Sequence, residues 1–185
     1  MTDPKVRRLF ITAHLWFAGI LAPMFLLLAI SGGLYLIGNK GEFKSEPVAL
    51  PTNAVLNFDS NSLEDDVKAL LTDAKIDHKF EYISKRGASA IHLRPTSRTY
   101  LEFRQTENGL TATRKIPNLQ GTLIELHKGH GPSLFKTYQK FVAIGLMGVV
   151  FGGILVGLMA KAYRRQTVIA VVVGSIIFII LAFFA

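Results

Sequence analysis

Three long runs of apolar residues constrain this chain more than any other feature of its sequence. They cover residues 9–37, 141–160 and 167–185 and contain no Lys, Arg, Asp or Glu. Each run is near or above the roughly 20 residues that a helix needs to cross the hydrocarbon core of a bilayer. A chain of 185 residues with this distribution is not a soluble enzyme built around one large core. We therefore expect an α-helical membrane protein with three transmembrane helices.

The polar residues between these runs set the expected domain boundaries. About a hundred of them separate the first two runs, and their pattern predicts a small extracytoplasmic α+β domain inserted between transmembrane helices 1 and 2. A short amphipathic helix over residues 119–128 would then lead into the second crossing. The expected segments are an N-terminus (1–8), helix 1 (9–37), the domain with its interfacial helix (38–132), helix 2 (133–160), a turn (161–166) and helix 3 (167–185).

Within the inserted domain the sequence predicts one helix and four strands. Ser62 is placed to cap a helix whose apolar residues recur three and four positions apart. Runs at 79–84, 88–93, 99–104 and 110–115, divided by turn signals, predict an antiparallel meander. The expected buried side chains are Leu63, Val67, Leu70, Leu71 and Ala74 of the helix, and Phe80, Tyr82, Ile91, Leu93, Tyr100 and Phe103 of the strands.

Charge predicts the orientation in the membrane. The short segments 1–8 and 161–166 hold six basic residues and one acidic residue, whereas residues 39–140 hold 15 basic and 12 acidic ones. Three crossings put both short segments on the same side, and an excess of Lys and Arg marks the cytoplasmic side. We therefore expect a cytoplasmic N-terminus. The basic charge is better explained by topology and by lipid headgroups than by nucleic acid.

The residue types present exclude several kinds of chemistry. The chain has no cysteine, which excludes disulfides, iron–sulfur clusters, thiolate zinc sites and covalent haem attachment. Apart from His14, near the edge of the first run, no ionisable residue lies deep within a crossing, which argues against a proton or ion pathway. No phosphate-binding, serine-hydrolase or zinc-protease motif occurs. The five histidines are therefore the candidate ligands.

Three of these histidines are candidate haem ligands. His14 lies near one end of helix 1, and His127 and His130 are spaced i, i+3 beside the other membrane face, so that a continuing helix would place both on one side. The alternative is an ordinary interfacial His14, and a solvated linker at His127 and His130. His78 and His92 are expected to be ordinary surface histidines.

Geometry limits how haem could be held. His14 and the other two candidates would lie about 30 Å apart across the hydrocarbon, so one chain cannot supply both ligands of one iron. A two-fold homodimer would pair each histidine with its own copy. Two G-x-x-x-G pairs in helix 2 predict close contacts, with a neighbouring helix or with a flat macrocycle; they are Gly148 with Gly152, and Gly153 with Gly157.

Short motifs in the chain resemble those of PepSY-associated transmembrane proteins. The stretch Ala13-His14-Leu15-Trp16-Phe17-Ala18-Gly19, followed by an apolar run to Ser31-Gly32-Gly33, is similar to the opening of that family. Leu126-His127, with a crossing that reaches Gly152-Gly153, resembles the family's second crossing. The resemblance implies a bacterial inner-membrane protein with a periplasmic PepSY domain at 38–132. It also implies haem b held by His14 and His127, with His130 a weaker match. Fuller members have four or more crossings and two PepSY-like halves, so this chain resembles one half.

Three functions stay open at this point. The first is a haem-b electron-transfer protein that reduces ferric iron or a ferric chelate outside the cytoplasm, with electrons from an unknown partner because the chain has no nicotinamide or flavin motif. The second is a non-enzymatic PepSY module that docks a periplasmic protein or stabilises a larger membrane complex. The third is a periplasmic metal site formed by Glu125, His127 and His130.

Overall fold

The computed structural model describes residues 4–184, which form five helices and five strands. The chain divides into two compact units. We call Met1–Phe25 with Lys140–Ala185 the helical unit, and Leu26–Gln139 the sheet unit. In chain order the elements are α1 (Pro4–Leu36), β1 (Phe43–Val48), α2 (Leu63–Asp73), β2 (Tyr82–Arg86), β3 (Ala90–Arg94), β4 (Tyr100–Thr106), β5 (Gly109–Pro117), α3 (Leu119–His127), α4 (Ser133–Met159) and α5 (Arg164–Phe183).

Three of the helices, α1, α4 and α5, are long and apolar enough to cross a membrane. They cover the three apolar runs, so the expectation of three such helices is confirmed. No residue of α5 is buried within the described part of the chain. An apolar helix with no protein cover needs lipid or another chain around it. A multi-pass membrane protein is compatible with these helices.

The sheet has five strands in the order β1-β5-β4-β3-β2, and every neighbouring pair is antiparallel. The four predicted strands are present as β2 to β5. The prediction of four strands was wrong by one, because β1 pairs with β5 along its whole length, from Phe43 opposite Pro117 to Val48 opposite Ala112. Lys44, Glu46 and Pro47 interrupt the apolar pattern of this segment, so the sequence did not predict a strand there. Its place at the edge of the sheet tolerates that proline.

The core of the sheet unit lies between α2 and one face of the sheet. Val67 of α2 is fully buried, and so are Ile91 and Leu93 of β3 and Leu101 and Phe103 of β4. The predicted stripe of α2 is confirmed apart from Ala74, which is half-buried. Side chains alternate between the faces of a strand, so the neighbours of these core residues point to the second face of the sheet. That face carries the polar clusters described below.

Two details of the predicted domain differ in the structure. Ser62 does precede α2, but its hydroxyl donates to the Asp66 carboxylate at 3.1 Å and forms no capping bond to the backbone. Phe80 and Tyr82 are half-buried, whereas Leu101, which was not expected in the core, is fully buried. In the pair Tyr100-Leu101 both side chains are apolar, so the alternation did not show which of them faces α2.

Candidate functional sites

His127 is the last residue of α3 and packs against α1 within the sheet unit. Its Nδ1 lies 2.7 Å from Ser31 Oγ, and the same Oγ lies 2.6 Å from the carbonyl oxygen of Leu27. A hydroxyl has one proton and the carbonyl can only accept, so Ser31 donates to Leu27 and accepts from His127 Nδ1–H. The imidazole is thereby fixed as the tautomer whose Nε2 carries a lone pair. That nitrogen is the one a metal or a hydrogen-bond donor would meet.

Gly32 gives the His127 ring its place beside α1. A Cβ atom at Gly32 would lie 3.3 Å from His127 Cε1, so any side chain there would press on the ring. Gly33, in contrast, has no neighbour within 4 Å of such an atom among the described residues. Ser31 therefore forms the hydrogen bond to the His127 ring, and Gly32 leaves the space that the ring occupies. The absence of a side chain at Gly32 thus allows the His127 ring to approach α1 closely.

An open cavity of about 360 Å³ lies beside His127. Its volume is within the range of about 300–1,000 Å³ that is typical of small-molecule sites. Two cations stand over the ring of Tyr35 in its wall, Lys128 Nζ at 5.6 Å and Lys40 Nζ at 5.3 Å from the ring centre. The remaining lining is largely apolar; the residues around the cavity are Ser31, Gly32, Tyr35, Leu36, Ile124, His127 and Lys128.

His130 belongs to a different arrangement, a buried polar network between α3 and the β3–β4 turn. Its Nδ1 lies 2.8 Å from Glu125 Oε2, and the same carboxylate oxygen accepts from the Thr96 hydroxyl at 2.5 Å. Arg94 donates to Thr96 Oγ1 at 2.7 Å and lies 3.7 Å from Glu125. Arg94, Thr96 and Glu125 are 3%, 1% and 9% exposed. The network therefore fixes the end of α3, which carries His127, to the sheet.

The environment of this network keeps Glu125 ionised and His130 neutral. Burial alone would raise the pKa of Glu125, but hydrogen bonds from Thr96 and His130 outweigh it and lower that pKa. Burial lowers the pKa of His130, and the bond to Glu125 only partly opposes the effect. A neutral His130 donates its Nδ1–H to the carboxylate. His130 thus bonds to Glu125 through Nδ1, the same ring nitrogen through which His127 bonds to Ser31.

The helix does not continue to His130, so the condition under which His127 and His130 would share one helix face is not met. The helix ends at His127, Gly129 adopts a left-handed conformation with φ 74°, and His130 N donates to Glu125 O at 2.9 Å. Together with the bond from Gly129 N to Leu126 O, this is a Schellman ending. The chain reverses after Lys128, so the two imidazoles take different partners.

His14 lies in the helical unit, where its ring packs on two glycines of α4. Cβ atoms at Gly152 and Gly153 would lie 3.5 Å from His14 Nδ1 and 3.3 Å from Cε1. His14 Nδ1 is buried and has no hydrogen-bond partner within residues 4–184. A buried polar atom without a partner is costly. The ring is therefore held by shape while one of its polar atoms is left unsatisfied.

The predicted helix-contact glycines of α4 behave differently from one another. Gly152 and Gly153 receive the ring of His14, and Gly157 receives the side chain of Thr167 from α5. A side chain at Gly148 would meet nothing within 4 Å in the described chain. Gly145, which the spacing did not single out, closely approaches Leu21 of α1. All of these glycines except Gly148 thus lie against a side chain of α1 or α5.

Of the two histidines expected at the surface, His92 is more deeply placed than expected. It lies on the second face of the sheet, 3.4 Å from the Glu102 carboxylate, with its ring 5.3 Å from that of Tyr100. Burial lowers the pKa of His92 and raises the pKa of Tyr100 to about 12. The alternation of β3 identified the face correctly, but that face is not simply solvent-exposed. His78 is half-buried beside a surface groove next to α2.

The geometry does not favour the metal site that the sequence left open. Within residues 4–184 no group of three His, Asp or Glu side chains is placed to hold a metal ion. Glu125, the carboxylate of that hypothesis, already accepts from Thr96 and pairs with His130 and Lys128. Sequence reasoning missed Arg94 and Thr96 because a turn of the type Arg-Pro gives no sign of burial.

The chain was compared with protein-family models, curated proteins and solved structures. No protein-family model, curated protein or solved structure matches the chain. His127 with its cavity, and His14, are therefore the features of this chain that bear on its function.

Proposed function

We propose that this chain is a haem-b electron-transfer protein of the PepSY-associated transmembrane type in the bacterial inner membrane. In this proposal the N-terminus is cytoplasmic, residues 38–132 form a periplasmic PepSY-like domain, and ferric iron or a ferric chelate is the substrate that is reduced there. A partner protein or a quinol supplies the electrons. Bound haem would supply a one-electron iron couple.

The observation that carries the proposal is the orientation of His127. Metal-bound histidines almost always donate their second ring N–H to an oxygen acceptor, which fixes the tautomer and makes the ligand more basic. Ser31 Oγ is such an acceptor for His127 Nδ1 at 2.7 Å. This leaves Nε2 with its lone pair, as an axial haem ligand requires.

The surroundings of His127 fit the chemistry of a haem. The macrocycle is apolar and its propionates are anionic. The cavity beside the ring is largely apolar, while Lys40 and Lys128 place positive charge around Tyr35 at its wall. His127 would hold the iron, and the two lysines would attract the propionates.

His14 is the residue we assign to a second haem. Its ring rests on Gly152 and Gly153, and a Cβ atom at Gly153 would press on it. Each of the two sites offers one imidazole from a single chain, and we therefore infer a homodimer in which each ligand is paired with its copy. The helical unit exposes α5, which gives such a dimer an apolar surface.

The test is the visible spectrum of the full chain, purified in mild detergent from haem-replete cells, before and after dithionite reduction. We expect b-type bands that are weakened in His127→Ala and in His14→Ala and lost when both are changed. His78→Ala is the matched control, because His78 belongs to neither site. Ser31→Ala should retain His127 but weaken haem binding about 10- to 100-fold, as second-shell changes do.

Two results would refute this function. A colourless protein from haem-replete cells would exclude haem as a resident group. Bands that persist in the double variant would show that haem is held elsewhere or adventitiously.

A docking module is the second candidate, and one edge of the sheet favours it. Within residues 4–184 the strand β2 pairs only with β3, and no strand lies along its other edge. At the opposite edge, β1 carries Lys44, Glu46 and Pro47, which protect an edge from further pairing. A partner could therefore add a strand beside β2. A colourless protein, together with crosslinks that map to β2, would support this function.

A further inference from the structure

A basic pocket lies in the helical unit, where α4 ends and α5 begins. It has a volume of about 340 Å³ and is lined by residues from the start of α1 and from the turn between the two later helices. Among the described residues, three of its lining side chains are cations and none is an acid. The lining residues are Arg7, Met159, Ala160, Lys161, Ala162, Tyr163 and Arg164.

The cations of this pocket have no anionic partner in the described chain. Arg7, Lys161 and Arg164 form no ion pair with any residue between 4 and 184. Arg8 and Arg165 add further positive charge beside them. Like charges held around one cavity repel one another unless an anion is bound between them.

A hydrogen bond to the backbone holds the side chain of Arg164 beside the pocket. Its Nε donates to the carbonyl oxygen of Leu158 at 2.8 Å and so covers the end of α4. The bond uses one of the five N–H donors of a guanidinium, and the terminal nitrogens keep the paired geometry that suits a phosphate. A surface arginine without such a bond would lose more side-chain freedom on binding.

The start of α5 adds a second reason to expect an anion. Its first turn holds Arg164 and Arg165 but no acidic residue, and Tyr163 provides no side-chain cap. Positive side chains are unfavourable next to the positive end of a helix dipole. An anion in the pocket would offset both charges. A neighbouring pair of membrane-length helices places this anion at the level of lipid headgroups.

We propose that this pocket binds the phosphate of an anionic phospholipid headgroup. The contacts would be made by Arg7, Lys161 and Arg164, and the acyl chains would lie along the apolar surfaces of α4 and α5. The site is independent of the proposed haem function. It would tie the N-terminus and the α4–α5 turn to one lipid molecule.

The experiment measures lipid binding to the full-length protein in zwitterionic detergent by native mass spectrometry. Phosphatidylglycerol is titrated against phosphatidylcholine, and Arg7→Gln with Arg164→Gln is compared with Arg8→Gln plus Arg165→Gln. Both double variants remove the same charge from the same two segments, but only the first pair lines the pocket. Each basic residue near an anionic lipid contributes about 1 kcal/mol, so the first variant should bind phosphatidylglycerol about thirtyfold more weakly. The second should stay within about threefold of wild type.

A third variant and two competing ligands complete the test. Arg164 also covers the end of α4, so Lys161→Gln serves as a variant without a structural bond and should weaken binding about fivefold. Equal losses in the two double variants would show general electrostatic attraction and overturn the proposal. So would equal binding of phosphatidylcholine. Displacement of the lipid by millimolar inorganic phosphate would assign the pocket to free phosphate and overturn the lipid assignment.

Discussion

Replacing Glu125 with alanine should loosen the end of α3 that carries His127. In the native protein the Glu125 carboxylate lies 3.7 Å from the guanidinium of Arg94 and bonds to Thr96 and His130. Arg94 is only 3% exposed. Without Glu125 the guanidinium would be a buried charge with a hydroxyl as its remaining neighbour. That loss of an anionic partner is what the substitution tests.

The expected cost follows from the burial of each partner. Removing one member of a buried ion pair costs about 3–5 kcal/mol. Arg94 keeps its bond to Thr96, which places the cost near the lower limit, at about 3 kcal/mol. The pair of Glu125 with Lys128, whose side chain is 44% exposed, adds less than about 1 kcal/mol. The matched control is Glu64→Ala on α2, where the ion pair with Lys68 is exposed to solvent and contributes little to stability.

Amide hydrogen exchange of the full chain in detergent, followed by mass spectrometry, measures this cost locally. The reporting amides are those of Thr96, Lys128 and His130, which bond across or within the α3 ending. A loss of about 3 kcal/mol corresponds to exchange that is roughly a hundredfold faster. Glu64→Ala should leave the same amides within about threefold of wild type.

Two outcomes would refute the reasoning. If Glu125→Ala changed these amides no more than Glu64→Ala does, the buried network would not stabilise the end of α3. The second test combines Arg94→Met with Glu125→Leu, which removes both charges and keeps apolar volume. This variant should be less perturbed than Glu125→Ala. If it exchanged faster, the cost would come from lost packing and not from an unpaired charge.

Two further predictions follow from the same geometry. The pKa of His130 is lowered from 6.5 and that of Glu125 from 4.5. The stability that each group contributes is therefore complete above its ordinary pKa and is lost as the pH falls through the lowered pKa of the folded state. Protection of the His130 amide, corrected for intrinsic exchange, should fall as the pH is lowered from above 6.5 through the folded-state pKa of His130, and an unchanged value would contradict the shift. In the helical unit, Gly153→Leu should displace the His14 ring, because a Cβ atom at Gly153 would lie 3.3 Å from that ring. Gly148→Leu should be tolerated, because no described atom lies within 4 Å of a Cβ atom there. The yield of crosslinking between cysteines introduced in α1 and α4 measures the difference, and equal effects of the two substitutions would refute the contact.

Features that depend on composition along the chain were the ones that could be predicted. The three membrane-length helices follow from apolar runs, and the buried stripe of α2 follows from helical spacing. Four of the strands follow from alternation between turns. The strand β1 could not be found in this way, because Lys44, Glu46 and Pro47 break the alternation and its partner β5 lies about seventy positions later. Pairing over such a distance leaves no local signal.

The candidate sites depend even more on distant contacts. Ser31 and His127 are 96 positions apart, and Thr96 and Glu125 are 29 apart. Single histidines in the sequence could be identified as candidates, but their tautomers are set by partners that no local pattern reveals. His92 illustrates the same limit. Its strand position was correct, yet it lies in a half-buried cluster with Glu102 and Tyr100.

The different roles of His127 and His130 come from one local feature that the sequence does contain. Gly129 follows the last turn of α3 and adopts the left-handed conformation that ends a helix, with φ 74°. Had the helix continued, both imidazoles would have faced the same side and competed for the same surroundings. Because it ends there, His130 turns back to the Glu125 carboxylate, whose network holds α3 on the sheet. His127 is left on the last helical turn against Ser31, with Nε2 as its unprotonated atom. Lys128 and Gly129 thus separate the two histidines, and the haem proposal is placed at His127 because the largely apolar cavity lies beside that ring.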